Sequence, residues 1–382
     1  MFSQNELNNN IHIHAVQVQG LKYTAADLVQ EYVNPIIPSK TVVELIENTT
    51  FAYKRLSSLG IFKSIKVLYD YAEPDVHHGG VIVTLVVEEA PRIMANASTG
   101  IKGTNGYFDI SGKIRNLNGR GLHLESRSSY GILDTQNLKS DFGHASFLFS
   151  CLLSRPRLEY SDTIGIFNES QTMDWSGISL FSQGVEIKRC FHKRNFAQEL
   201  LYNLSARQVH SVQENVPWSI RKYAGHSLKS SLGYSISMDS RDDSIIPTNG
   251  NYFKLFFELA GLGGNVFHFK NEMYMSFVKS FMDSMVLTTS VKTGFCLPLN
   301  PAQQNRINDR FLVGGPTNVR GFKQFGLGPK INNLVLGGDL FWALGASIFA
   351  PIPFLSDNIF KLHLFSNAAS LVSIESRGMV SY

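Results

Sequence analysis

Ser227-Leu228-Lys229-Ser230-Ser231-Leu232-Gly233-Tyr234-Ser235-Ile236-Ser237-Met238-Asp239 reads as one long ribbon with two unlike faces. Successive side chains of a strand alternate, so Leu228, Leu232, Tyr234, Ile236 and Met238 point one way. Ser227, Lys229, Ser231, Gly233, Ser235 and Ser237 point the other. Pro247-Thr248-Asn249-Gly250 turns the chain, and the pattern then repeats. Phe253, Leu255, Phe257 and Leu259 alternate with Lys254 and Glu258. Phe267, Phe269, Met273, Met275 and Phe277 oppose His268, Lys270, Glu272 and Ser276, and Met285, Leu287, Val291, Phe295 and Leu297 oppose Ser284, Ser290 and Lys292. Each stretch runs about 10–14 residues, longer than soluble sheets commonly use. A tilted strand crossing a bilayer needs about 9–11 residues, apolar toward lipid and polar toward a wet interior. In a soluble sandwich the same alternation would turn its apolar face to a dry core. Length and succession together favour lipid.

Composition points the same way. Of 382 residues only 17% are charged, while 12% are aromatic and 31 are glycine. Soluble domains carry about 25% charged residues. Yet 43% hydrophobic content includes no apolar run of the length a spanning helix needs, so transmembrane helices are excluded. With 27 Phe and 14 Tyr the chain has ample material to bury, which excludes a disordered polymer. A net charge of +4 without a basic cluster gives no reason to expect nucleic acid as a partner. Cys151, Cys190 and Cys296 have no metal-type spacing and read as reduced residues. Met1-Phe2-Ser3-Gln4-Asn5-Glu6-Leu7 resembles neither a secretory signal nor an Arg-rich presequence, which disfavours a bacterial outer-membrane address if Met1 is the start.

Weaker alternation marks further strands at Met94–Lys102, Tyr107–Arg115, Gly121–Gly131, Phe142–Leu153, Leu158–Phe167, Ile178–Cys190, Phe196–Arg207, Val335–Phe349 and Phe360–Leu371, about thirteen with the four clear ones. The fold class is therefore mainly β, with an antiparallel transmembrane β-barrel over 91–382. Ahead of it, after a tail of residues 1–10, residues 11–90 read as a small β-α-α-β-β unit. A first strand has Ile11, Ile13, Ala15 and Gln17 alternating with His12, His14, Val16 and Val18, and a short helix follows from Ala25 to Val33. Thr41-Val42-Val43-Glu44 matches a capping box, opening a helix whose face holds Val42, Ile46, Thr49, Tyr53 and Leu56 before Gly60. Strands Ile61–Tyr71 and Val81–Glu88 close the unit, with His77-His78-Gly79-Gly80 in their hairpin.

Between Pro298 and Val335 lies a loop too long to be a mere connection, containing Arg310-Phe311-Leu312-Val313-Gly314-Gly315-Pro316-Thr317-Asn318-Val319-Arg320-Gly321-Phe322. Gly314, Gly315 and Pro316 bend its backbone, and a phosphate-loop reading fails on spacing. This run resembles the outer-membrane barrel-assembly superfamily, which includes bacterial BamA and the barrel subunit of the mitochondrial sorting and assembly machinery. The hallmark tetrad of that superfamily is matched by Val319-Arg320-Gly321-Phe322. Arg310–Phe322, Gly225–Leu232 and Glu258–Gly261 are similar to the mitochondrial branch, and residues 11–90 resemble its single polypeptide-transport-associated (POTRA) domain.

The resemblance implies that the loop folds into the barrel and that its arginine pairs with acidic or polar groups of the wall. Asp339, in Gly337-Gly338-Asp339, is the candidate anchor for Arg320, since an Arg can grip a carboxylate through two parallel bonds. Asn367-Ala368-Ala369 departs from the Ala-Gly usual in relatives, so the extra methyl of Ala369 is expected to crowd the loop. The family barrel has sixteen strands, so closing strands are expected to be missing after Leu371. The implied role is non-enzymatic insertion of β-barrel precursor proteins into the mitochondrial outer membrane by strand templating at a seam. Accessory subunits of a SAM-type complex and the lipid bilayer would be partners, and the POTRA-like domain would face the intermembrane space.

Other readings are weaker. A passive channel needs neither the N-terminal unit nor the tetrad, and a plastid or bacterial relative acting in translocation remains an alternative. His12, His14, His77 and His78 lack a surrounding ligand set, so no metal is expected. Asn116–Gly121 carries its glycines between strands, so a turn is expected instead of a dinucleotide site. No catalytic constellation stands out, and no cofactor is expected.

Overall fold

The computed structural model describes residues 11–71, 80–102, 105–132, 146–156, 160–173, 175–193, 195–210, 216–281, 285–300, 303–316, 318–351 and 361–374. The tail 1–10, His77-His78-Gly79 and the expected strand starts at Phe142, Leu158 and Phe360 lie outside them. The chain divides into two compact units, Met1–Thr99 with Phe108–Ser128 and Ser150–Ile164, and Gly100–Tyr107 with Ser129–Phe149 and Gly165–Tyr382.

The first unit opens with β1 (His12–Gln19), α1 (Ala26–Val33), α2 (Val42–Ser58), β2 (Phe62–Tyr71) and β3 (Gly80–Glu89). β3 lies centrally, parallel to β1 and antiparallel to β2. A core of Ile13, Val29, Tyr32, Ile36, Leu45, Leu56, Val83 and Leu85 holds the helices on this sheet. Two details differ from the alternation expected of the sequence. A register shift between Ile13 and Ala15 inserts His14 as an extra residue, so Val16 and Val18, not Ala15 and Gln17, pack on the core beyond it. The buried stripe of α2 is Leu45, Thr49, Ala52 and Leu56, leaving Ile46 and Tyr53 exposed. One position along a helix is a rotation of about 100°, and the small Ala52 lets the helix approach on that side.

The capping box is half as expected. Thr41 Oγ1 accepts from the Glu44 amide at 3.2 Å, but the Glu44 carboxylate accepts from Lys40 N at 2.8 Å, one residue upstream of the cap. At the end of β3 the Glu89 carboxylate gathers the amides of Lys22, Tyr23 and Thr24 at 2.9–3.1 Å. The same unit contains the turn expected over Asn116–Gly121, seated on this domain. Asn116 Nδ2 donates to Thr24 Oγ1 at 2.9 Å, Ala25 N donates to Gly119 O at 2.8 Å, and His123 Nε2 meets Leu59 O at 2.8 Å. Gly119 has φ +75°, and a Cβ there would stand 2.8 Å from Tyr23 O, so only glycine permits the approach.

Beyond β3, thirteen strands form one antiparallel meander in chain order. They are β4 (Ile93–Lys102), β5 (Asn105–Ile114), β6 (His123–Ile132), β7 (Ser146–Pro156), β8 (Tyr160–Met173), β9 (Ile178–Lys193), β10 (Phe196–His210), β11 (Gly225–Asp239), β12 (Gly250–Gly264), β13 (His268–Phe281), β14 (Met285–Pro298), then β17 (Leu340–Pro351) and β18 (Lys361–Val372). The intervening β15 (Lys330–Ile331) and β16 (Leu334–Val335) make a separate small ribbon. Val335 was expected to open a wall strand; instead it pairs with Lys330 and donates to Trp175 O, and the strand begins at Leu340.

In the second unit the meander buries serine and exposes leucine. On β11, Ser227, Ser231 and Ser235 are buried whereas Leu228, Leu232 and Met238 are exposed. On β17, Phe341 and Ala343 are buried whereas Leu340, Trp342, Leu344 and Ile348 are exposed. A water-soluble sheet would invert this choice. An apolar face of this extent is stable where lipid meets it.

Burial opposes ionisation of Glu89, but its bonds from Thr24, Lys22 and Tyr23 outweigh burial and hold its carboxyl below the ordinary glutamate value. A depressed folded value stabilises above the unfolded value and is lost as pH falls through the folded one. Hydrogen-exchange protection of the Lys22–Thr24 amides is therefore expected to drop on acidification below the ordinary glutamate range. In Glu89→Gln it should be low and flat across that window; unchanged protection in the variant would contradict this.

Candidate functional site

Four neighbouring strands each bring a charged or ionisable side chain to the polar face of the second unit, and one loop carboxylate meets them. Arg207 of β10 forks onto Asp309, Nη1 to Oδ1 at 2.8 Å and Nη2 to Oδ2 at 3.0 Å. Lys229 of β11 reaches Asp309 Oδ1 at 3.3 Å and Glu258 Oε1 of β12 at 2.6 Å. His268 of β13 places Nε2 at 3.5 Å from Glu258 Oε2, the outer limit of a hydrogen bond. These residues share a face because each lies on the polar parity of its strand, with Ser205 on β10, Ser227 and Ser231 on β11, Lys254 on β12 and Ser276 on β13. Arg207 and Asp309 are 7% and 2% exposed, so this pair is screened little by water or salt. Burial opposes ionisation of Asp309, yet Arg207 and Lys229 outweigh it and hold the carboxyl well below the usual carboxylate range.

From Asp309 the loop runs into a packed apolar cluster. Phe311, Val313 and Val319 pack with Cys296, Phe341, Ala343 and Leu371 of the wall. Phe311 and Phe341 rings lie 4.7 Å apart, and the Lys270 ammonium stands 4.4 Å from the Phe311 ring. Phe311 exchanges backbone bonds with Gly338 at 2.8 and 3.0 Å, and Leu327 N donates to Val313 O at 3.1 Å. Gly315 O accepts the Val319 amide at 2.9 Å, which folds the tetrad back beside the glycines. Gly314, at φ +118°, would place a Cβ 2.7 Å from Lys323 O, so the crossing requires glycine. Pro316 sits at the exposed bend, and Arg320 Nε lies 3.4 Å from its carbonyl.

The expected Arg320–Asp339 pair is not formed. Arg320 is exposed, with Nη1 at 3.0 Å from the His363 ring and its guanidinium 5.3 Å from the Phe365 ring. Asp339 is 2% exposed and joins three other segments. Asn305 Nδ2 donates to it at 2.8 Å, Ser373 Oγ and Ile374 N donate at 2.9 Å, and Arg310 Nε lies 3.6 Å away. The reason is positional: the tight turn at Gly315–Val319 carries Arg320 toward β18, while Arg310, next to the Phe311–Gly338 bridge, is already beside Asp339. Of the tetrad, Val319 is buried, Phe322 is exposed and Gly321 takes φ +90°. Ala369 packs against the Phe311 cluster, and the Asn367 side-chain amide lies against the Arg320 backbone.

Sequence reading singled out none of Arg207, Lys229, Glu258, His268, Asp309 and Arg310 as an anchor. The available signal was charge on the polar parity near the loop end of β10–β13, which alternation alone does not distinguish from solvated charge. Among the described residues no group of three or more His, Cys, Asp and Glu is placed to hold a metal.

A buried loop clamped to the polar face of an antiparallel meander, in a chain that begins with a β-α-α-β-β unit, has known counterparts. Residues 116–380 match the Omp85 superfamily domain. The chain belongs to the Omp85 superfamily. It is 29% identical over 377 residues to the sorting and assembly machinery component 50 homolog A of Xenopus laevis, with 96% of this chain and 78% of the relative covered. The corresponding human homolog is 28% identical over 375 residues, again with 96% and 78% covered. Among solved structures, BamA from Haemophilus ducreyi lacking POTRA domains 1–3 superposes with a TM-score of 0.75 at 15% identity, covering 95% of this chain and 72% of that one. At that identity the likeness to BamA is one of fold.

In this Omp85 chain, truncating Asp309 strands the buried Arg207 guanidinium, while Lys229 keeps Glu258, a loss of about 3–5 kcal/mol. Asp309→Ala is thus expected to open the loop to trypsin at Lys323, and Arg207→Met with Asp309→Leu to recover protection in part. Arg320→Ala should cost only about 0.5–1.5 kcal/mol, because its partners are an imidazole and an aromatic face at an exposed position. Digestion rates in detergent or nanodiscs decide; faster cleavage of Arg320→Ala than of Asp309→Ala would reverse the assignment.

Proposed function

We propose that this chain inserts and assembles β-barrel precursor proteins in the mitochondrial outer membrane, without catalytic side chains. Its relatives of 28–29% identity carry the name of a sorting and assembly machinery component, and the resemblance runs over 96% of the chain. In this reading the N-terminal β-α-α-β-β unit works as a POTRA domain in the intermembrane space, and accessory subunits of a SAM-type complex act with it. The exposed apolar face meets lipid.

The observation that carries the mechanism is the strand order. It runs from β4, which pairs with β5, to β18, which pairs with β17. An unpaired edge presents a row of backbone amides and carbonyls that templates an incoming strand. Client strands would pair there through backbone geometry. The clamped loop keeps the polar face of the sheet in shape while its ends exchange partners.

A photoreactive residue placed in turn at Asn96, Ala97 and Ser98 of β4 tests this during import of a radiolabelled barrel precursor. Adducts with the precursor's terminal strand, alternating in yield with a period of two, are expected. Ser98→Pro, which removes one ladder donor, should slow precursor assembly several-fold. Normal assembly with no β4 adducts, or loss of ion conductance as the sole consequence of depletion, would contradict the proposal.

A further inference from the structure

At the end of the meander opposite the 299–339 loop, the starts of β12 and β14 and the end of β13 enclose a cleft of about 450 Å³. Its walls are Phe277 and Leu287, its small floor residue is Thr289, and Asn249, Asn251 and Lys279 stand round it. The register sets this arrangement. Asn251 faces Phe277, Phe277 faces Thr289, and Lys279 faces Leu287 across the strands. Phe277, Lys279 and Leu287 share the parity of exposed Leu297, so the cleft opens on the apolar face; His268, Lys270 and Glu272 are on the opposite parity.

A lysine on that face is unusual. In the middle of a lipid-facing strand an ammonium is costly, and the cost nearly vanishes near the interface. Lys279 lies two residues from the last residue of β13, at the interfacial end, where its stem can lie along apolar surface while the charge seeks a polar group. No lining residue is acidic, and among the described residues Lys279 forms no ion pair. The neighbouring Asn249 is held rigidly: its Oδ1 accepts from Ser280 N at 3.2 Å and Ser280 Oγ at 3.1 Å, which leaves its amide N–H groups as donors.

We propose that this cleft is a binding site for an anionic phospholipid. The headgroup phosphate sits on the Lys279 ammonium and the Asn249 amide, and one acyl chain lies between Phe277 and Leu287 over Thr289. Two features select this occupant: continuity of the cleft with the lipid-facing surface, and a positive charge at its rim that has no ion-pair partner among the described residues. Soluble phosphate would use only the rim and leave the apolar walls of Phe277 and Leu287 uncovered. The inference rests on the reading that the apolar face meets lipid.

The full chain in phosphatidylcholine nanodiscs, doped with phosphatidylglycerol or phosphatidylcholine bearing an acyl-chain diazirine, gives the test through mapped photolabelling. Labelling is expected to concentrate on the peptides carrying Phe277, Leu287 and Thr289, and to favour phosphatidylglycerol. Lys279→Gln should cut that preference about fivefold, as expected for one interfacial lysine, while Lys279→Arg keeps it. Thr289→Trp should abolish labelling by both lipids at this position, and Lys323→Gln, in the distant loop, should change nothing. Equal labelling by the two lipids, a preference that survives Lys279→Gln, or displacement of the probe by inorganic phosphate would overturn the site. Labelling spread over the apolar face without focus here would refute the site alone. No labelling on that face at all would refute the membrane reading with it.

Discussion

A carboxylate that is 2% exposed and gripped by a guanidinium and an ammonium cannot move without stranding charge in a poorly hydrated place. Asp309 is that carboxylate, and its position constrains the second unit more than any other contact. Arg207, Lys229, Glu258 and His268 come from four successive strands, so the network also fixes the relative register of those strands on the polar face. The apolar cluster around Phe311 and Val319 then follows from a loop already pinned at one point. Without the pin, seating that cluster would have to order a connection of roughly forty residues from hydrophobic contact alone, against a large conformational entropy.

Asp339 completes the arrangement from the other side. It ties the loop, through Asn305 and Arg310, to the residues just past β18, and its own amide donates to Val372 O. The loop is thereby held at the two carboxylates, with the glycine-rich bend and the tetrad between them. Arg320 occupies a looser place, against His363 and Phe365. In this chain the hallmark arginine is a contact of the loop's outer side, and the burial that seats the tetrad comes from Val319.

Much of this was legible in the residues. Period-two alternation over β11–β14 fixed strand identity and length, because lipid on one face and water on the other leave no alternative parity. The weaker strands were found as well, from the same alternation at lower contrast. What alternation does not carry is any interruption of itself: the extra residue at His14 reversed the inward set of β1, and the tight Ala52 contact turned α2 by one position. The loop was recognised by its glycines, but its anchors were not. Asp309 and Arg207 are 102 residues apart in the chain, and only the strand order brings them within reach. Arg310 and Arg320 are chemically equivalent candidates for Asp339 until the backbone turn at Gly315 decides between them.

The account as a whole depends on the loop being a fixed part of the wall. Amide hydrogen exchange of the membrane-embedded chain measures this directly, at the Phe311, Val319, Leu327 and Gly338 amides that carry the loop's backbone bonds. Exchange as slow as in β14, and unaltered when salt is raised, is the expected result, because the ion pairs beneath are buried. Exchange as fast as in the exposed turn at Asp243–Ile246, or acceleration by salt, would contradict it.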